Sequence, residues 1–525
     1  MSAALKVREP EIDGFAVAEA SFSALVGRLK AEETARMSLG DLEEFLDKEG
    51  REVLRKLLQA HLDRRAEAKA VTPVVGADGV ERTHHRPGER KLETLLGTVE
   101  VARDGHGARG RETLFPLDEA LNLPEEKYSF GIRRRAAEEA VKGSYDEVVE
   151  VLAKYTGAEV AKRQVEEVVL RAAQDFDGFY FARRLEWQKQ RADAGSILVL
   201  TFDGKGVAMR HEDLRQATKE AAAQRNHKLE KRLAKGEKRN TKRMSQVAAV
   251  YTIAPFIRDA GHVIDDFKPR AGEAPRPKRP APEGKRVWAS LEKDPDDVIE
   301  DAFLDACSRD VKREKQWVVL LDGNADQLAL TKAAAKRHKR EITIVVDVIH
   351  VLEYLWKAAY VFFAEGTKDA EEWVTEKLLW LLCGDAGQVV AAIRRTATKR
   401  RYPLKQRKPA DKCANYIENH KAYLRYDTCL AAGFPIATGV IEGACRHLVR
   451  DRMEITGARW SLAGAEAILK LRSLKVSHDL DAYWVHHEQL ELARNHQARY
   501  SKGEPPVLAR PPRAKATASH LRVVE

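Results

Sequence analysis

The chain has 525 residues, and its 91 Lys+Arg against 81 Asp+Glu give a formal net charge of +10 at pH 7. That length suits about three domains, and a hydrophobic share of 44% with both charge signs mixed excludes disorder throughout. Five cysteines far apart in sequence argue against a disulfide framework and predict a reducing, cytoplasmic compartment. The apolar runs fall short of the ~18 residues of a membrane helix, so no membrane partner is expected.

The first segment, residues 1–72, is predicted to be helical. Apolar residues recur at steps of three and four through LEEFLDKEGREVLRKLLQAHL, which is the period of an amphipathic helix. From residue 73 to 126, glycines, prolines and alternating apolar residues replace this pattern. Residues 73–126 are therefore predicted to form a small β-ribbon.

Three short helical patterns follow in residues 127–190. Ser144 and Glu147 have the spacing of a capping box, and Gly143 and Gly157 stand where the preceding helices should end. Three short helices joined by tight turns are typical of a helix-turn-helix module that binds DNA. They are equally typical of an ordinary three-helix packing unit, so both interpretations stand.

Four apolar runs rich in β-branched residues indicate a different domain over residues 191–350. The runs are SILVLTFDG, QVAAVYTIAP, QWVVLLDGN and EITIVVDVIH. A helical pattern, ADQLALTKAAAKRHKR, separates the last two and predicts a β-α-β unit within a mixed sheet. After the first run, Asp203 and Gly204 are predicted to form a hairpin turn, with KGVAMR as the returning strand.

Basic segments interrupt and follow this domain. Residues 211–243 hold 11 Lys/Arg against 5 Asp/Glu, and residues 268–286 hold 7 against 2. These insertions suit sequence-independent contacts to phosphates. Residues 351–432 are predicted to be entirely helical, residues 433–500 to return to the core with a helix on GVIEGACRHLVRDRM, and residues 501–525 to form a disordered tail.

Three carboxylates stand out by their positions in these patterns. Asp203 ends the first apolar strand, Asp322 ends the third, and Glu442 lies on the helix after the helical segment. Because neighbouring strands end side by side, the two aspartates can reach one ion, and Glu442 would complete a set of oxygen ligands. Such ligands suit two Mg²⁺ (or Mn²⁺) ions that catalyse phosphodiester displacement. Taken alone, either aspartate is more readily explained as a turn or capping residue.

The strings VVLLDGNADQLAL, VVDVIHVLEYLWKAA and ATGVIEGACRHLVRDRMEITGARWS occur in this order. Together they resemble the DDE transposases of bacterial insertion sequences, closest to the ISKra type and related to the ISL and Mutator groups. The resemblance covers most of residues 90–475. It implies an α/β fold in which an RNase H-like mixed sheet with an all-helical insertion follows a helical and helix-turn-helix N-terminal region.

The same resemblance implies a function. It is Mg²⁺-dependent cleavage at transposon ends and strand transfer into target DNA, with Asp203, Asp322 and Glu442 as the catalytic metal ligands. Asp347 and His350 match a D-x-x-H pattern of these transposases and are expected to support the metal site, unless they are a satisfied polar pair that ends a strand. Asp347 is the main rival of Asp322, which is preferred because it stands in the family's Asp-Gly context.

Several side chains are candidates for DNA contacts. Arg446 and Arg450 follow Glu442 at helical spacing, where they could bind phosphates near the metals or pair with neighbouring glutamates. Trp460 could stack on an unpaired base, or it could be a core tryptophan. The candidates also include the basic triplet of the helix-turn-helix-like region, Arg133, Arg134 and Arg135.

The expected partner is double-stranded DNA, both the terminal inverted repeats and the target, bound by a homodimer or higher oligomer in the bacterial nucleoid. Two alternatives stand beside this: an RNase H-like nuclease without strand transfer, and a non-catalytic, domesticated DNA-binding protein. Relatives often carry cysteines in the β-ribbon. This chain has His106 there and no nearby cysteine, so no structural zinc is expected.

Overall fold

The computed structural model describes residues 14–189, 195–224, 241–267 and 278–509. Contacts divide the chain into two compact units, Met1–Asp175 with Asp481–Glu525, and Phe176–Leu480. This division differs from the predicted domains. The boundary after Asp175 falls inside the predicted helix-turn-helix segment, and the residues after Leu480 belong to the first unit instead of the core.

The first unit begins with helices and a β-hairpin. The helices are α1 Gly14–Leu29, α2 Glu32–Ala35 and α3 Leu39–Ala66, and the antiparallel strands are β1 His84–Thr94 and β2 Gly97–Gly107. Ser38 caps α3 by accepting a hydrogen bond from the backbone N–H of Asp41. Gly97 has a φ of 119°, a conformation that favours glycine at the hairpin turn. The predicted helical start and β-ribbon are confirmed.

Four helices follow the hairpin: α4 Pro116–Ala120, α5 Phe130–Ala140, α6 Tyr145–Tyr155 and α7 Lys162–Ala172. The predicted capping box is present, since the side chains of Ser144 and Glu147 each accept from the other's backbone N–H. After α6 the chain passes against the hairpin turn, where a Cβ on Gly157 would lie 2.6 Å from the Cα of Gly97. The three predicted helices of this region are thus confirmed as helices.

The second unit is built on a five-stranded mixed sheet. Its strands are β3 Ile197–Ala208, β4 Lys242–Ile253, β5 Glu283–Ser290, β6 Gln316–Leu321 and β7 Thr343–Val346, in the order β5-β4-β3-β6-β7. β4 pairs antiparallel with β3 and with β5, whereas β6 pairs parallel with β3 and with β7. The accompanying helices are α8 Phe176–Trp187, α9 Gln216–Ala223, α10 Ala260–Phe267, α11 Pro295–Arg309 and α12 Ala325–Arg337. The predicted β-α-β unit is β6, α12 and β7.

Two predictions about this sheet are wrong. Asp203 and Gly204 do not form a hairpin turn, because β3 continues straight through them and Gly204 pairs with Gln246 of β4. β4 itself is the antiparallel return. The sequence pattern also missed β5, which begins at Glu283 within the segment taken as a basic, proline-rich insertion.

After β7 the chain is helical, as predicted for residues 351–432. The helices are α13 Val348–Phe362, α14 Lys368–Leu382, α15 Ala386–Lys399, α16 Leu404–His420, α17 Tyr426–Ala431, α18 Gly439–Ala444, α19 Asp451–Met453, α20 Leu462–Val476 and α21 Leu480–Asn495. A π-helical turn, Cys445–Arg450, joins α18 to α19. One apolar core unites β3, β6 and β7 with α13 to α16 and so anchors the helices to the sheet.

Part of the predicted disordered tail is ordered. Ser501 donates its backbone N–H to Val75, and Ala509 donates to Lys69, so residues 501–509 line the first unit. Residues 510–525, and most of the two basic insertions, lie outside the described residues. Among the helices that the structure describes, none combines the length and the apolar character needed to cross a membrane.

Candidate functional site

Backbone register brings three aspartates to one edge of the sheet. The last paired residues of β3 and β6 stand two positions before Asp203 and Asp322. The last pair of β6 and β7 stands one position before Asp322 and Asp347, and the Asp347 N–H still donates to Leu321 at 2.8 Å. Continued in register, the three aspartates lie level on neighbouring parallel strands. Their backbones form a row at the level where β6 and β7 end, whereas β3 continues beyond Asp203 to Ala208 in its pairing with β4. The carboxyl ends of parallel strands are the edge where open α/β sheets bind ligands.

Asp203 is half-buried under the π-helical turn. Its Oδ1 accepts the backbone N–H of Gly204 at 2.6 Å, and its Oδ2 accepts the Sγ–H of Cys445 at 3.1 Å. Burial, together with the negative charge of Asp203, raises the pKa of the Cys445 thiol well above its usual range. The thiol therefore stays protonated and serves as a hydrogen-bond donor to the carboxylate.

Asp322 and Asp347 differ in how fully their oxygens are used. Oδ1 of Asp322 accepts the N–H of Asn324 at 2.8 Å, and among the described residues none donates to its Oδ2. Asp347 is buried, with one oxygen accepting the N–H of Ile349 at 2.8 Å and the other accepting the hydroxyl of Thr438. Burial raises the pKa of Asp347. Asp322 thus keeps an oxygen available to a ligand, whereas Asp347 positions Thr438, the residue that precedes α18.

Glu442 lies on α18, which packs against β3. Its side chain is solvent-exposed in part, yet desolvation raises its pKa, and the negative charges of Asp347, Glu353 and Asp203 raise it further. In the described parts of the chain, two groups of possible metal ligands have atoms within 4.8 Å of one another. Neither group contains Asp203, Asp322 or Glu442. The fold therefore brings Glu442 into the electrostatic neighbourhood of Asp203 and Asp347. The carboxylate oxygens of Asp203, Asp322 and Glu442 do not all lie within 4.8 Å of one another.

An aromatic layer supports the loop after β6. The rings of Tyr354 and Tyr416 stack at 4.2 Å, and His350 meets both edge-on at 5.5 and 5.9 Å. The Tyr416 hydroxyl donates to the carbonyl oxygen of Asp322 at 2.6 Å. His350 thus lies beside the site as expected, but it acts here as a packing partner of two tyrosines.

The Asp-Gly context of Asp322 has a steric reason. Gly323 has a φ of 86°, and a Cβ there would lie 2.6 Å from the Tyr416 hydroxyl oxygen. His420 Nε2 lies 2.8 Å from the carbonyl oxygen of Gly323 and fixes the other side of the loop. Tyr416 and His420 were missed by the sequence reasoning, because helical spacing in α16 does not show that they meet the loop after β6.

The predicted DNA contacts of α5 need correction. Arg133 has no exposed surface and is enclosed by Glu126, Glu491 and His487, so it is not available to phosphates. Burial here is possible because two carboxylates neutralise the guanidinium. Arg134 pairs with Glu138 and Asp481 at the surface, and Arg135 is exposed.

Trp460 also departs from its predicted role. It is buried, its Nε1–H donates to the carbonyl oxygen of Met453 at 3.1 Å, and the Arg452 guanidinium lies 4.7 Å from its ring. It is therefore a core tryptophan in this structure and is not positioned to stack on a base.

Arg446 and Arg450 are exposed, as a DNA contact requires. The π-helical turn widens the helix between them, so the face predicted from regular α-helical spacing is altered. Arg450 pairs with Glu454 at 3.4 Å, which is the neighbouring-glutamate alternative and is weak at this exposure. Both guanidiniums remain accessible from solvent.

Comparison of the chain with protein-family models and with curated proteins found no match. The features that point to a function are the aspartate row, Glu442 beside Asp203 and Asp347, and the motifs in the sequence.

Proposed function

We propose that the chain is a DDE-type transposase, which cleaves transposon ends and joins them to target DNA with Mg²⁺ held by Asp203, Asp322 and Glu442. The observation that carries the proposal is the level register of Asp203 and Asp322 on adjacent parallel strands, with Glu442 near enough to Asp203 for that carboxylate's charge to raise the pKa of Glu442. In the sheet order β5-β4-β3-β6-β7, neighbouring strands among β3, β4 and β5 are antiparallel, and β6 and β7 run parallel to β3. This order supports an RNase H-like core that is interrupted by helices α13 to α17.

The residues present fit a hard divalent cation. All three proposed ligands offer carboxylate oxygens, which Mg²⁺ prefers, and Oδ2 of Asp322 has no donor among the described residues. The charges that surround Glu442 are mutually repulsive without a cation. When bound, Mg²⁺ supplies activation of the attacking oxygen and stabilisation of the leaving oxygen in phosphodiester displacement.

The chain's own residues have three roles in this proposal. Asp203, whose Oδ2 accepts the Cys445 thiol in this structure, would offer a carboxylate oxygen to the cation. Asp347 holds Thr438 and so fixes the start of the helix that presents Glu442. The exposed guanidiniums of Arg446 and Arg450 bind phosphates of the scissile strand.

Recognition of transposon ends is assigned to the first unit. Helices α5, α6 and α7 have the lengths and tight turns of a helix-turn-helix module, and Arg135 is exposed on α5. The basic insertions add phosphate affinity that falls with salt concentration. The protein would act in the bacterial nucleoid as a homodimer or higher oligomer on double-stranded DNA.

The test is a cleavage and strand-transfer assay with the full chain. The substrate is labelled DNA from both flanks of the reading frame, with a supercoiled plasmid as target and Mg²⁺ or Mn²⁺ in the buffer. Asp203→Asn, Asp322→Asn and Glu442→Gln should each reduce both steps by more than about 100-fold, because losing a residue that merely supports a metal ligand already costs about 10- to 100-fold.

Glu353→Gln is the matched control, since the charge of Glu353 also raises the pKa of Glu442 but Glu353 lies outside the proposed triad, and this variant should retain activity. Cleavage without joining would identify a nuclease. Specific binding of the flanks without cleavage would identify a DNA-binding protein. Full activity in all three triad variants would show that the chemistry lies elsewhere in the chain.

A further inference from the structure

Away from the aspartate row, a cluster of metal-binding side chains lies on the β-hairpin of the first unit. His85 of β1 is directly opposite His106 of β2, and Asp104 stands two residues before His106. Residues opposite each other, and residues two apart on a strand, point to the same face of a sheet. One nitrogen or oxygen atom from each of the three lies within 4.8 Å of the others.

We propose that His85, Asp104 and His106 bind a divalent transition-metal ion of the zinc class. Two imidazole nitrogens and one carboxylate oxygen are a donor set that zinc accepts, and three protein ligands leave a fourth position for water or another ligand. Imidazole is a poor ligand for Mg²⁺, so this site is chemically distinct from the carboxylate row. The expectation of no zinc in this hairpin considered cysteine ligands alone.

The hairpin holds these donors rigidly from the buried side. His106 is only 7% exposed, and its backbone exchanges hydrogen bonds of 2.7 and 2.9 Å with Leu114. The backbone of Arg82 is a hydrogen-bond partner of the His106 side chain. A backbone partner on one ring nitrogen is the usual device that orients a metal-ligating imidazole through the other. His85 is exposed, so an ion can enter from solvent.

Without an ion, the carboxylate of Asp104 contacts the side chains of His85 and Lys69. His85 Nδ1 lies 3.1 Å and Lys69 Nζ 3.2 Å from Asp104 Oδ2. The Lys69 side chain is 67% exposed, so its ammonium can leave the carboxylate at little cost. Lys69 is therefore a competitor of the metal ion, and its removal should strengthen metal binding.

A second cluster of similar composition differs because arginines already occupy it. Asp175, His487 and Glu491 also lie within 4.8 Å of one another, but all three are buried. Arg494 binds both carboxylates, and Arg133 binds Glu491 and His487. The guanidiniums of Arg133 and Arg494 already neutralise this cluster, so we assign it a structural role.

The proposal is tested by titrating the full, metal-free chain with Zn²⁺ in a calorimeter and with Co²⁺ by absorption spectroscopy. We expect one Zn²⁺ per chain at this site. Affinity should fall by at least about 100-fold in His85→Gln and in Asp104→Asn, and Lys69→Met should bind more tightly than the wild type. Asp175→Asn, in the structural cluster, should bind as the wild type does.

Two further controls keep the result interpretable. Cys383→Ser removes the exposed thiol, a rival zinc ligand, and should not change the affinity. Circular dichroism of each variant shows whether the fold is retained, and the exposed position of His85 makes that variant the least disruptive. Absence of stoichiometric Zn²⁺ binding, or equal binding by wild type, His85→Gln and Asp104→Asn, would overturn the proposal.

Discussion

Replacing Arg133 by methionine tests whether this arginine stabilises the first unit or contacts DNA. The guanidinium has no exposed surface. It pairs with Glu126, and its Nη1 lies 2.7 Å from Glu491 Oε2 and 2.8 Å from His487 Nε2. The substitution keeps much of the apolar volume but leaves the carboxylates of Glu126 and Glu491 with fewer partners.

The magnitude follows from the partners that remain. Removing one member of a buried ion pair costs about 3–5 kcal/mol. Glu126 keeps Arg171 at 2.9 Å and Glu491 keeps Arg494 at 2.5 Å, so we expect the lower end, about 3 kcal/mol. In a unit of about 200 residues each kcal/mol lowers the Tm by about 2–4 °C, which predicts a decrease of about 6–12 °C.

The assay is differential scanning calorimetry of the full chain, with attention to the transition that the substitution moves. Arg135→Met is the matched control on the same helix, because Arg135 is exposed, and its stability should change by less than about 0.5 kcal/mol. DNA affinity, measured by fluorescence anisotropy below the first transition, should be unchanged in Arg133→Met. An unaltered Tm together with weakened DNA binding would refute this account of Arg133.

Three more outcomes follow from the structure. Burial opposes ionisation of Asp175, but hydrogen bonds from His487 and Arg494 lower its pKa to about 2 from 3.8. A lowered pKa stabilises the fold above pH ~4, and this contribution of about 2 kcal/mol is lost as the pH falls toward 2. In urea unfolding, wild type should therefore lose more stability than Asp175→Asn between pH 5 and 2; parallel curves would contradict this. Gly157→Ala places a Cβ 2.6 Å from the Cα of Gly97 and should lower the free energy of unfolding by about 1–3 kcal/mol. Gly40→Ala, with open space around its Cβ, should not destabilise the fold. Equal thermal stability of the two variants would show that the hairpin turn shifts to accommodate the Cβ. Iodoacetamide at pH 8 should modify the exposed Cys383 before Cys445, because burial and Asp203 raise the pKa of the Cys445 thiol; mass spectrometry that finds Cys445 modified first would exclude its contact with Asp203.

Local signals in the sequence predicted local structure well. The capping box of Ser144 and Glu147 depends on residues three apart, and both halves of it are present. The apolar runs of the core were correctly predicted as strands, because a strand covered on both faces of the sheet consists almost entirely of apolar residues. The same logic failed at β5, where Arg286 is buried against Asp305 at 2.7 Å and over the Tyr180 ring at 3.6 Å. A strand that buries a paired arginine has a polar sequence, so hydropathy does not reveal it.

Side chains whose partners lie far along the chain were the ones misjudged. In the sequence, Arg133 resembles its two neighbouring arginines and was taken as exposed. Its buried partners, Glu491 and His487, lie 358 and 354 residues further along the chain. Sequence reasoning correctly placed Asp322 directly after a core strand and Glu442 on a helix, but it wrongly ended the first strand at Asp203, since β3 runs on to Ala208. It could not distinguish Asp322 from Asp347 physically, because the hydroxyl that occupies Asp347 belongs to Thr438, beyond the whole helical segment.

The central claim is that Asp203, Asp322 and Glu442 hold a pair of divalent ions. The most direct measurement is Mn²⁺ titration of the full chain followed by electron paramagnetic resonance. It should be made in a His85→Gln background, so that the hairpin cluster contributes no signal. We predict two Mn²⁺ ions coupled at a separation of about 4 Å. The coupling should disappear in Asp203→Asn and in Asp322→Asn and persist in Glu353→Gln. An uncoupled spectrum, or a coupled pair that survives both aspartate substitutions, would contradict the claim.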